Sequence, residues 1–110
     1  MANTYKVLAQ SNPAATTATS LYTVPSSTPA VVSTITVCNQ STSAGSYRIA
    51  IRPAGATLAA QHYIAYDVPL AANDTVALTL GITLATTDIV TVYASSANMS
   101  FNAYGTEITA

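Results

Sequence analysis

Charge is nearly missing from this chain. Its 110 residues include three Lys and Arg, four Asp and Glu and one His, so charged side chains make up 6% of it, against a usual share of about 25%. Lys6, Arg48 and Arg52 are the whole basic complement. Nucleic-acid binding needs clustered Lys and Arg to displace counterions from phosphates, and that class is excluded. A net charge of −1 also supplies little mutual repulsion, which favours association.

Cysteine is almost as scarce. With Cys38 alone, no intrachain disulfide can form and thiolate-rich metal sites are ruled out. Its place in Val37-Cys38-Asn39, at the end of an apolar run, suits a small buried or half-buried hydrophobe, with an intermolecular bridge as the alternative. The N-terminal segment lacks the basic start and apolar stretch of a signal peptide, and no run of about 18 apolar residues occurs, so no membrane partner is expected and the chain is expected to fold in a cytoplasm.

Chemistry is equally thin. His62 is the one histidine, and the carboxylates are Asp67, Asp74, Asp88 and Glu107. These do not suggest a general acid–base pair or the paired carboxylates of a glycan hydrolase, so no catalytic residue is assigned. Asp74 and Asp88 precede apolar runs, where a short acceptor bonds nearby backbone amides in a turn; calcium is the functional alternative, without an Asp-x-Asp-x-Asp loop to support it. The glycines at 45, 55, 81 and 105 stand alone, so no phosphate cradle and no cofactor is expected. Three matches to the glycosylation sequon, beginning at Asn39, Asn73 and Asn98, lack a secretory signal and read as chance.

What the chain has is alternation. Side chains on successive strand residues point to opposite faces, and this period of two recurs about eight times. The runs are Thr4 to Ala9, Ser20 to Val24, Val31 to Asn39, Tyr47 to Arg52, His62 to Val68, Thr75 to Leu80, Ile89 to Ala94 and Met99 to Tyr104. Gln10 to Ala18 reads as a loop or extended arm, Gly81 as the end of the sixth run, and Leu58 to Gln61 as room for one helical turn at most. The last two runs, joined by Ser95 to Asn98, read as a closing hairpin. The length suits one domain over 1–110. Together these point to an all-β fold, an antiparallel two-sheet sandwich of about eight strands with immunoglobulin-like or jelly-roll topology, or a small closed barrel. The paired cysteines and core tryptophan of immunoglobulin domains are absent.

Seven tyrosines against one Phe are the remaining feature. Alternation sends Tyr47 and Tyr66 inward and Tyr63, Tyr93 and Tyr104 outward, together with Arg48 and Arg52. Tyr and Arg are enriched at protein–protein hot spots, so Arg48, Arg52, Tyr63, Tyr93 and Tyr104 are the candidate interface residues. Cross-strand pairing on a solvated face and carbohydrate stacking are the other readings.

Several segments carry a resemblance: Asn3 to Leu8, Leu21 to Pro25, Tyr47 to Pro53, Tyr63 to Asp67, Leu80 to Leu84 and Ser100 to Gly105. Together they resemble short virion structural proteins of tailed bacteriophages, of the cyanophage or aquatic-phage type. The resemblance implies a non-enzymatic role in a virion, first as a capsid decoration or cement protein stabilising the head. A tail, baseplate or fibre-associated subunit, or a host-surface-binding module, is the alternative. It implies other virion proteins (major capsid or tail proteins) and further copies of the chain as partners.

Overall fold

The computed structural model describes residues 2–109, with side chains for 3–108. Eight strands account for most of it: β1 (Ala2–Ser11), β2 (Thr19–Thr23), β3 (Ala30–Asn39), β4 (Gly45–Arg52), β5 (Tyr63–Leu70), β6 (Thr75–Leu84), β7 (Ile89–Ala94) and β8 (Met99–Thr109). Short 3-10 turns occupy Pro53–Gly55 and Ala60–His62. The second of these overlaps the end of Leu58 to Gln61, the stretch with room for one helical turn at most.

The strands form two four-stranded antiparallel sheets, ordered β1-β8-β3-β6 and β2-β7-β4-β5. The pairs β1/β8, β2/β7, β3/β6 and β4/β5 are nested. The chain is thus one long hairpin, turning between β4 and β5, rolled up so that β3 meets β8 and β4 meets β7. That is the jelly-roll order, which settles the choice among sandwich and barrel topologies.

Between the sheets, alternation does what pleating requires. In β3, Val32, Ile35 and Val37 are fully buried; in β4, Tyr47 and Ile49; in β7, Val90, Val92 and Ala94. Tyr47 from one sheet meets Phe101 from the other edge to face, ring centres 6.4 Å apart. Burial of Tyr47 pushes its phenol pKa up. Among the described residues Asn39 carries the one buried side-chain amide: its Nδ2 donates to the carbonyls of Ser43, Leu70 and Ala71, and its Oδ1 accepts from the Ser41 backbone N–H. One side chain thereby ties the end of β3 to the links that follow β3 and β5.

Three expectations are corrected. Gly81 does not end the sixth strand: with φ +64° it forms, with Leu80, a bulge opposite Val32 to Thr34, and β6 runs on to Leu84. A glycine takes this left-handed backbone without a Cβ penalty, so the ladder resumes beyond it. β7 and β8 are not a hairpin, because β7 pairs with β2 and β4 while β8 pairs with β1 and β3. Ser95 to Asn98 crosses from one sheet to the other, a step of the same length as a hairpin loop.

Tyr66 is the third correction: it lies outside, 57% exposed. Val68 pairs with Tyr47 and Ala65 with Ile49, so Tyr66 and Asp67 together stand opposite Arg48. Asp67 takes φ +51° to make this bulge. The extra residue reverses the alternation counted back from Val68 and turns Tyr66 outward.

Candidate functional site

The five candidate interface residues divide between the two outer faces. Arg48, Tyr63 and Tyr93 come together on the outside of β2-β7-β4-β5, where Arg52 also lies; Tyr104 is on the opposite sheet.

Arg48 is the centre of the first face. Its guanidinium carbon sits 4.1 Å from the centre of the Tyr66 ring and 4.2 Å from that of Tyr93. Its Nε and Nη2 donate to the Asp67 carboxylate at 2.6 and 3.2 Å. The hydrogen bonds to Asp67 hold the guanidinium more firmly protonated than usual, against a weaker opposing effect of desolvation. Tyr63 meets Tyr66 edge to face at 4.9 Å, and Ala60, Tyr63 and Tyr66 line an open hollow of about 430 Å³. The bulge that displaced Tyr66 thus supplies two of the cluster's members, Tyr66 and Asp67. Alternation could not reveal them; the signal available was the pair Asp67 and Pro69 interrupting an otherwise apolar strand.

Arg52 serves the fold. Its nitrogens donate to Thr91 Oγ1, the Ala56 carbonyl and Ser20 Oγ at 3.0, 3.2 and 3.4 Å, clasping β4 to its neighbours.

The outer face of β1-β8-β3-β6 is different. Cross-strand register places on it Tyr5 and Val7 of β1, Asn102, Tyr104 and Thr106 of β8, Val31, Thr34 and Thr36 of β3, and Thr75, Ala77 and Thr79 of β6. No Asp, Glu, Lys or Arg points from it among the described residues. Lys6 and Glu107 lie on the inner side of their strands, at the sandwich margin. Lys6 Nζ is 2.7 Å from Glu107 Oε1, and the Tyr22 hydroxyl donates to Glu107 Oε2 at 2.5 Å. These bonds, from Lys6 first and then Tyr22, hold the Glu107 carboxyl below its ordinary pKa. Burial, with Glu107 beside it, pushes the Tyr22 phenol well up.

The remaining carboxylates and the histidine are engaged in turns. Asp88 accepts the Ala54 and Ala85 amides, and Asp74 that of Thr75, as turn acceptors should. His62 Nδ1 accepts the Ala59 amide within its own 3-10 turn. Cys38 is half-buried. Among the described residues no three of His, Cys, Asp and Glu gather where they could hold a cation. A second shallow hollow, of about 320 Å³ beside Gln10 to Asn12 and Ser100 to Asn102, has Gln10 and Asn102 bonded to each other at 2.7 Å. No protein-family model, curated protein or solved structure matches this chain.

Proposed function

We propose that this chain is a non-enzymatic structural protein of a phage particle, acting as a capsid decoration protein that docks on neighbouring shell subunits and stabilises the head. The observation that carries the reading is the uncharged outer face of β1-β8-β3-β6. Interface cores are depleted in charge and enriched in aromatic residues, and this face combines no charge with exposed Tyr5 and Tyr104. Its Thr, Ser, Ala and Val side chains lose little rotamer freedom on contact, and burying it desolvates no ion. The resemblance of the segments from Asn3 to Gly105 to phage virion proteins supplies the setting.

A second reading is favoured by the opposite face. The hollow lined by Ala60, Tyr63 and Tyr66, braced by Arg48, offers aromatic surface of the kind that stacks on sugar rings. It supports a tail- or fibre-associated role in host-surface binding.

Particle copy number separates the two. Hundreds of copies, roughly, are expected of a shell protein; about six or twelve would overturn the decoration reading in favour of tail or baseplate. Paired substitutions give a second test. Tyr5→Ser with Tyr104→Ser should lower incorporation into particles, whereas Tyr63→Ser with Tyr66→Ser should leave incorporation intact. A loss of cell adsorption alone, from the second pair, would favour host binding.

A further inference from the structure

The four sheet edges are not alike. An edge strand exposes unpaired backbone N–H and C=O groups, and proteins blunt such edges with charge, proline, bulges or brevity. β1 carries Lys6 and a register shift at Leu8. β2 is five residues long with a shift of its own. β5 holds Asp67, Pro69 and two shifts. β6 has ten residues with no charge and no proline, and from Thr75 to Thr79 it keeps unbroken register with Cys38 to Thr34. Its one irregularity, at Leu80 and Gly81, lies beyond that run.

The sandwich margin is also more open on this side. The strand orders set β1 over β2 at one flank and β6 over β5 at the other. β1 and β2 touch, but no comparable contact joins β5 and β6. Ala65, Val68, Val76, Leu78 and Ile82 pack on the core yet stay only partly buried, leaving an apolar seam beside the unprotected edge.

The run itself says what fits there. Thr75-Val76-Ala77-Leu78-Thr79 is nearly palindromic in residue type. Laid antiparallel on itself about Ala77, it sets Thr75 against Thr79 on the outer face and Val76 against Leu78 on the seam side. Thr–Thr and aliphatic pairs are both favourable across strands, and no like charges oppose.

We propose that β6 pairs with β6 of a second copy about a two-fold axis at Ala77, merging two four-stranded sheets into one continuous sheet. Such an interface is isologous and closes as a dimer. It shields both seams and doubles the uncharged outer face. The pairs from Thr75 to Thr79 make an edge ladder about 17 Å long, below the standard size of specific interfaces, so dissociation on the order of 100 μM is expected.

The inference extends the assembly reading and rests on it only for the use of the dimer. Sedimentation of the full chain from about 1 μM to about 1 mM should show a monomer–dimer equilibrium. Ala77→Lys places two ammonium groups against each other across the axis and should weaken dimerisation on the order of tenfold or more. Ala77→Glu should do the same, and an equimolar mixture of the two should pair again. Thr79→Lys serves as a second edge variant, circular dichroism confirms that each variant is folded, and Val7→Lys on the β1 edge should leave dimerisation unchanged. A monomer at every concentration, a dimer untouched by Ala77→Lys, or a mixture that stays monomeric overturns the proposal. A chain that never dimerises but enters particles in high copy would overturn edge pairing and leave the virion reading standing; a dimer absent from particles would do the reverse.

Discussion

Gly105 shows how closely this sheet is packed. A Cβ there would run into the Val31 carbonyl oxygen and the Val32 backbone, because β3 bulges at Ser33 and presses on β8. Backbone cannot yield as a flexible side chain can, so Gly105→Ala should cost about 2 kcal/mol or more, read as a lower denaturation midpoint. At Arg48 the opposite holds: the guanidinium is stacked and paired, but Asp67 is largely exposed, and a solvated pair contributes little. Asp67→Asn should therefore change stability by less than about 1 kcal/mol, while loosening Tyr66 and with it the hollow. Intrinsic tyrosine fluorescence would report that change without a shift in the unfolding midpoint.

Among the elements, β3 has its end tied by a buried side chain. Asn39 satisfies three carbonyls and one amide around the links that follow β3 and β5. Asn39→Leu fills the space but strands those groups, so a loss of about 2–4 kcal/mol is expected in urea unfolding. The strands themselves were legible from alternation because each buries one face: all eight runs overlap strands, and β4, β7 and, as far as Leu78, β6 kept the facing read for them. β5 did not: the bulge at Asp67 adds one residue opposite Arg48, and counting by twos then assigns Tyr66 to the wrong side. β6 was cut short for a related reason, since Gly81 reads as punctuation in sequence but as a bulge once β3 lies beside it.

In the whole molecule, Glu107 links the sheets, joining Lys6 of β1 to Tyr22 of β2. Its carboxyl is held low in the folded state, so the unfolded chain binds the proton first as pH falls. The stabilisation is present above the ordinary glutamate range and is lost as pH drops through the depressed value. Between about pH 5 and about pH 3 the thermal midpoint should fall, and Glu107→Gln should flatten that dependence. Tyr22 works at the other end: its raised phenol pKa means the unfolded chain ionises first, so stability should decline above about pH 10.

Composition and period settled the class of fold, because a chain with strict alternation, one cysteine and 6% charge can bury apolar faces only by stacking sheets. They also bound the chemistry, since residue inventory limits what any arrangement can assemble. Topology was beyond them: local pattern is the same whether a strand pairs with its neighbour in sequence or, as β1 does with β8, with one almost a whole chain away. Alternation likewise could not set Tyr66 and Asp67 beside Arg48, or leave β6 unguarded at the edge. Bulges and edges are relations between strands, and they come into being only when the long hairpin rolls up.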